Sequence, residues 1–296
     1  MGDVLKPIDT KAIVMGVMFG IMWASAFTSA RVIVQYAPPL YALAVRFLLS
    51  GIFAVLLARA MGQSWHLTRR QWIATLVFGV AQNALYLGLN FVAMQTIEAS
   101  LAAIVASTMP LLVAFASWTV FRERIRPLSV AGLVAGVVGV ALIMGARLQG
   151  QVDMFGLGLC VVGVVSLTVA TLSVRGASSG GNFLMVVGLQ MLVGSAVLWV
   201  PALAFETFDV TLTWQLGVAF TYTVIVPGIG ATLIWFMLVD RIGATPAAVF
   251  HFLTPFFGVL TAALLLGEKL GSMDIVGVLI ITSGILAVQM SRQKPA

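Results

Sequence analysis

Residues Thr96–Met144 return 145 positions further along the chain. Pro110 falls on Pro255, Glu123 on Glu268, Gly132 on Gly277 and Gly139 on Gly284, while Ile97, Ala99, Ala102 and Ala103 match Ile242, Ala244, Ala247 and Ala248. The Ala and Ile matches are cheap in a chain this rich in small apolar residues. The others carry weight, because there are only ten Pro and four Glu in all. A duplicated unit constrains the architecture before any element is assigned, since both copies must fold alike.

The medium in which the copies fold follows from composition. Of the 296 residues 61% are hydrophobic and 9% charged, against about 25% charged in a soluble domain, and mean hydropathy is +1.09. Such a chain is a polytopic membrane protein. The net charge of +6 is spread among short loops rather than clustered on a soluble domain, which argues against nucleic acid as a partner. Cys160, the single cysteine, lies in an apolar run, forms no internal disulfide and reads as core filler. No cleavable signal peptide is expected, because the first apolar run, from Ala12 to about Val34, is long enough to span.

A spanning helix needs about 20 mostly apolar residues, and ten segments qualify: 12–34, 39–60, 71–94, 98–121, 128–146, 154–174, 182–204, 213–238, 244–266 and 273–290. Placing the N-terminus in the cytoplasm puts Lys6, Lys11, Arg59, Arg69, Arg70, Arg122, Arg124, Arg126, Arg175, Arg241, Arg292 and Lys294 inside. Only Arg31, Arg147 and Lys269 then lie outside. That bias predicts both termini inside. Five helices per half is an odd number, so corresponding helices run in opposite directions. The expected fold is all-α, with ten transmembrane helices in two inverted five-helix repeats, 11–147 and 153–291. Inverted repeats let one site face either side of the membrane in turn, which points to a secondary transporter.

Polar residues inside the spans mark candidate sites. In helix 3, Gln82, Tyr86 and Asn90 recur at four-residue spacing with Asn83 beside them; they either line a wet central cavity or cross-link helices. In helix 9, His251, Thr254 and Gly258 surround Pro255, which frees a backbone carbonyl one turn earlier; this is either a polar site with a hinge or a packed histidine. Trp23, Tyr222 and Trp235 are mid-span aromatics, suited to an amphipathic amino acid or to a cation held by ring faces, or else packing groups. The copies differ at His251, whose mate is Ala106, and at Trp235, whose mate is Asn90. Pro110 and Pro255 are expected to act as paired pivots, and Glu123 and Glu268 as matched hinge turns. Gly132, Gly136 and Gly139 permit close helix approach, within the monomer or at a homodimer seam.

Trp23-Ala24-Ser25-Ala26-Phe27 in helix 1, Pro39 with Arg46-Phe47 in helix 2, Pro110, Thr254-Pro255 and the Gly267-Glu268 turn together resemble the paired EamA domains of the drug/metabolite transporter superfamily. The resemblance covers essentially the whole chain, and within the superfamily the nearest likeness is to bacterial exporters of aromatic and other amino acids. It implies export of small metabolites or drugs across a bacterial inner membrane. Arg46 is then either a structural group or the anchor of a substrate carboxylate. A central Arg costs about 2.5–3.5 kcal/mol to insert, so it should face the interior or snorkel.

No phosphate-binding GxxxxGK[ST] loop, HExxH, CxxC or GxSxG occurs, so no catalytic residue, metal or cofactor is expected. No Asp or Glu lies mid-span, which leaves His251 as the one mid-span group that titrates near neutral pH. Passive transport is therefore expected. An exporter of cationic drugs is the alternative within the superfamily; an intramembrane enzyme or a channel would be a different class.

Overall fold

The computed structural model describes residues 10–120, 122, 126–147, 152–173, 181–242 and 249–293. Within these the chain is helical throughout, with no strand. We number the helices α1 (Thr10–Ile33), α2 (Pro39–Ala60), α3 (Arg69–Ala93), α4 (Ala99–Thr119), α5 (Pro127–Arg147), α6 (Met154–Ser173), α7 (Phe183–Phe205), α8 (214–242), α9 (249–266) and α10 (Ser272–Gln293). Seven of them, α1 to α4, α6, α7 and the Trp214–Trp235 part of α8, are long and apolar enough to cross a membrane. The apolar runs of α5, α9 and α10 are shorter. Residues 244–248 of the expected ninth span and Glu123 lie outside the described residues.

Local chemistry sets several boundaries. Pro39 opens α2, where its missing N–H costs nothing and its fixed φ suits the first turn. A capping box opens α3: Gln71 N donates to Thr68 Oγ1, and Thr68 N donates to Gln71 Oε1. Gly267, at φ 68°, ends α9 in the left-handed conformation that favours glycine.

Three pairs of corresponding helices, α2 with α7, α4 with α9 and α5 with α10, meet and run antiparallel. Along α2 and α7, Leu40 lies opposite Glu206, Gly51 opposite Leu192 and Ser64 opposite Asn182. Gly132 and Gly139 of α5 cross Gly284 and Gly277 of α10 backbone to backbone. Ala103 of α4 packs on Gly258 of α9, and Ala99 lies beside Glu268. The first helix of each repeat obeys the same symmetry: α1 lies parallel to α9 (Gly20 on Leu253, Thr28 on Thr261), and α6 lies parallel to α4 (Gly156 on Ile97, Thr171 on Met109).

The departures from α-winding are repeated as well. A π segment, Gly79–Tyr86, interrupts α3, and another, Val224–Gly230, interrupts α8 at the matching position. The fourth helix of each repeat breaks just before its proline. In α4 the break falls at Thr108, ahead of Pro110; in α9 a 3₁₀ turn, Val249–Leu253, precedes Thr254-Pro255. Pro227 explains the winding in α8. The equivalent segment of α3, Gly-Val-Ala-Gln-Asn-Ala-Leu-Tyr, has no proline, so there the winding is imposed by packing rather than by a missing donor.

A Cβ on Gly132 would fall 2.5 Å from the Gly284 carbonyl oxygen. We predict that Gly132→Leu lowers the thermal unfolding midpoint in detergent, by about 1–3 kcal/mol of stability, while Gly158→Leu, which faces open space, leaves it within error. Equal midpoints for the two would contradict the packing described.

Candidate functional site

One cavity of about 510 Å³ lies where the two repeats meet, within the ~300–1,000 Å³ usual for small-molecule sites. Its lining comes from the early turns of α3 and α7, the N-terminal half of α1, the late turns of α6 and α8, the start of α9 and the break in α4. Most of these lie toward the end of the bundle that holds the N-terminus of α1, with Trp23, Tyr86 and Ala106 near its middle. The described lining reaches that end, the mouth, through Gln71 and Phe183 in the first turns of α3 and α7.

The walls differ chemically. One is aromatic. Phe19 lies 4.9 Å from Trp235 and 5.0 Å from His251 between ring centroids, Trp235 lies 5.0 Å from His251, and Trp23 lies 5.9 Å from Phe19 and 6.1 Å from His251. His251 is thus packed edge-on among three rings. The facing wall carries amides and hydroxyls: Gln82, Asn83 and Tyr86 from the π segment of α3, and Gln190 from α7. Thr254 also lines the cavity, while its Oγ1 is turned away from solvent-accessible space and has no hydrogen-bond partner. Among the described lining residues none is acidic, and none is Lys or Arg.

Of the residues singled out in the sequence, Trp23, Gln82, Asn83, Tyr86, Trp235, His251, Thr254 and Pro110 come together here. Two candidate cavity residues do not. Asn90 lies one turn beyond Tyr86, past the closed end of the cavity. It is buried against Gly163 of α6, with Nδ2 donating to the Tyr86 carbonyl at 2.8 Å and Oδ1 unpartnered. Tyr222 likewise lies deeper than Trp23, and its hydroxyl is 2.7 Å from Ser25 Oγ. Depth along the helix, not the face it occupies, removes both.

Arg46 is buried outside the cavity, beside the π segment of α8. A Cβ on Gly228 would lie 4.0 Å from its Nη2 and 3.4 Å from Ser50 Oγ. Its guanidinium is 5.0 Å from the Phe47 ring centroid, and its Nε has no partner. Pro255 is buried at the start of the α segment of α9 and does not line the cavity.

Sequence reasoning missed Gln190 and Phe19. Gln190 is the single amide inside α7, so the rule that selected the amides of α3 selects it too. Phe19 stands one turn before Trp23, at the spacing that stacks side chains on one helix face.

Hydrogen bonds close the opposite end of the bundle. Glu268, at the end of α9, accepts from the N–H groups of Ala99 (2.8 Å) and Ser100 (3.0 Å) at the start of α4. Glu206, at the end of α7, accepts from Leu40 N (2.9 Å) and Tyr41 N (3.0 Å) at the start of α2. Each carboxylate meets helix N-terminal donors, where both the free N–H groups and the helix dipole favour negative charge. Arg31 Nη1 donates to the Met94 carbonyl. Thr96 Oγ1 donates to Asp153 Oδ2 at 2.6 Å, and that bond holds the Asp153 carboxyl below its ordinary range, helped by the Gly156 and Phe155 N–H groups. Glu268 is thus a clamp between the repeats in this conformation.

The mouth end carries the neutral counterpart. Met185, the repeat mate of Leu40, donates its N–H to Gln63 Oε1 at 3.0 Å, and Ser64 N donates to Asn182 Oδ1 at 2.8 Å. Equivalent backbone donors are therefore capped by a carboxylate at the closed end and by an amide at the open one.

Residues 10–145 and 154–290 each match the EamA-like transporter family. The uncharacterized transporter YvbV of Bacillus subtilis is 26% identical over 271 residues, covering 90% of this chain and 88% of the relative. A probable amino-acid metabolite efflux pump of Salmonella typhimurium is 24% identical over 284 residues, covering 90% of each. A solved crystal structure shares the fold with TM-score 0.67 at 20% identity, covering 96% of this chain and 99% of the other.

With Cys160 replaced by Ala, cysteines at Gln190 or Thr232 should react with a small maleimide added from the mouth side, and cysteines at Asn90 or Tyr222 should not. Labelling of all four at similar rates would contradict the cavity boundary.

Proposed function

The chain belongs to the EamA-like transporter family, and from that footing we propose that it is a secondary transporter exporting neutral amino acids, aromatic ones included, and related small metabolites by alternating access. The observation that carries the reading is a cavity between two antiparallel repeats, open at one end and tied shut at the other. The family and its named relatives are transporters, not enzymes.

On this reading the ten helices all span a bacterial inner membrane as two inverted five-helix units, 11–147 and 153–291, with both termini cytoplasmic. The cavity then faces the cytoplasm, where an exporter collects its cargo, and the carboxylate clamps form the outer gate. The breaks at Pro110 and Pro255 are the pivots, placed at equivalent points of α4 and α9. An irregular backbone is tolerated at membrane depth only where protein or a cavity surrounds it. For outward opening, Glu206 and Glu268 release the N-termini of α2 and α4.

The substrate class follows from the lining. A neutral zwitterion with an aromatic side chain can lay its ring against Phe19, Trp23, Trp235 and His251 and present its polar groups to Gln82, Asn83 and Gln190. The Salmonella typhimurium relative named as an amino-acid metabolite efflux pump agrees with this class. The same aromatic wall supports a second reading, an organic cation held by ring faces. With no carboxylate among the described lining residues, transport on this reading runs down the substrate gradient.

Counterflow of radiolabelled amino acids in proteoliposomes tests the class. We expect saturable uptake of aromatic and other neutral amino acids that does not depend on an imposed proton gradient. Flux restricted to organic cations would select the second reading, and flux of neither kind would overturn both. Trp235→Ala and Gln190→Ala should each lower counterflow about tenfold, the effect of losing roughly 1.4 kcal/mol of binding, with unchanged yield of folded protein. Unimpaired counterflow in both variants would place the substrate elsewhere. Glu268→Gln weakens a charge-assisted cap and should raise labelling of a cavity cysteine from the outer side; unchanged labelling would remove Glu268 from the gate.

A further inference from the structure

A second cleft, of about 420 Å³, lies at the mouth end on the seam between α3 and α6, lined by Arg69, Arg70, Ile73, Ala74 and Ser173. Ala74 also lines the main cavity, so whatever fills the cleft sits on the rim of the mouth. Arg69 and Arg70 occupy the first two positions of α3, and no acidic residue lies in that first turn. Two cations there oppose the helix dipole, which favours anions at an N-terminus. The capping box engages the Gln71 N–H, and Trp72 N donates to the Thr68 carbonyl. The Arg69 and Arg70 N–H groups are the first-turn donors this cap leaves over. Two guanidiniums at the N-terminus of a 25-residue helical segment therefore line one cleft, and none of its described lining residues is acidic. Both arginines are exposed, and their grouping at the helix N-terminus favours an anion with several oxygens. On the same helix, Trp72, Ile73 and Leu76 are exposed apolar side chains, an aromatic-and-aliphatic surface that suits the boundary between lipid headgroups and chains.

We propose that this cleft binds the phosphate of an anionic lipid headgroup, with the acyl chains lying along Trp72, Ile73 and Leu76. The group recognised is a phosphate diester. A lipid supplies it together with the apolar contact, whereas free phosphate supplies only the anion. Basic pockets between membrane helices commonly serve this chemistry.

Native mass spectrometry of the purified full chain in detergent tests the site, with short-chain phosphatidylglycerol, short-chain phosphatidylcholine and inorganic phosphate as separate titrants. We expect phosphatidylglycerol to bind saturably, phosphatidylcholine at least tenfold more weakly, and inorganic phosphate without saturation. The double variant R69Q/R70Q should weaken phosphatidylglycerol binding about twenty- to thirtyfold, from the worth of two basic groups at a membrane surface. R69K/R70K should recover most of it. R59Q removes an exposed charge at the same end of the bundle, one engaged instead with Trp65 (5.4 Å to the ring centroid), and should change binding less than twofold. Should the double Gln variant fail to fold, R70Q alone should still weaken binding about fivefold. Equal binding of phosphatidylcholine, tight binding of inorganic phosphate alone, or an equal loss in R59Q would each overturn the proposal; the last would mean diffuse surface charge rather than a site.

Discussion

Hydrocarbon offers no hydrogen bonds, so a chain that crosses it must pair its own backbone groups and can leave regular winding only where protein or an internal cavity supplies partners. The irregularities of this structure obey that constraint in pairs. The π segments of α3 and α8 occupy matching positions of the two repeats, and so do the breaks in α4 and α9. Three of the four border the cavity through Gln82, Asn83, Tyr86, Met109, Pro110 and His251. The fourth, in α8, faces Arg46 and Ser50 instead. Both repeats thus supply an unwound segment and a broken helix, but only the π segment of α3 brings amides to the ligand space, and the second repeat adds Gln190 from α7. That asymmetry is how two copies of one unit come to form a single site.

The placement of charge follows the same logic. No described lining residue is acidic, and at the closed end Glu206 and Glu268 each take up helix donors that would otherwise be unfilled. At the mouth, the equivalent contact is made by neutral Gln63. Two ends built from the same repeat therefore differ in cap strength, since a carboxylate on backbone N–H groups makes roughly twice as strong a hydrogen bond as a neutral amide does. The α2–α7 contact is made at both ends, and that difference holds the carboxylate end the more firmly. The basic groups Arg69 and Arg70 sit at the open end, on the rim.

Much of the fold was legible because the duplicated stretch and the apolar runs are strong signals. The opposed directions of the copies follow from five helices per repeat, and Gln82, Asn83, Tyr86, Trp23, Trp235, His251 and Thr254 stand out as polar or aromatic groups inside the spans; which helices pair does not follow. Period alone, however, cannot fix depth. Gln82, Tyr86 and Asn90 share a spacing, yet Tyr86 closes the cavity and leaves Asn90 bonded to the Tyr86 carbonyl behind it. Tyr222 is lost in the same way, engaged by Ser25. The π segment of α3 has no proline to announce it, and its effect on side-chain direction depends on α7 packing against Gly79 and on Asn83 meeting Gly194. Glu268 was visible as a repeated turn, but its partners, Ala99 and Ser100, are some 170 residues away, and only the folded chain reveals that it is a clamp. Arg46 was visible as a costly mid-span charge, and its position beside Gly228 could not be read without the counterpart repeat.

The account turns on α3 and α8 being opposite walls of one site that open alternately at their two ends. Spin-label pairs on these same helices measure that directly: Arg70 with Arg241 at the mouth, and Gln95 with Trp214 at the closed end. Double electron–electron resonance in nanodiscs, with and without a saturating aromatic amino acid, should show the mouth distance shortening as the closed-end distance lengthens. Both distances unchanged, or both moving in the same direction, would contradict alternating access in this chain.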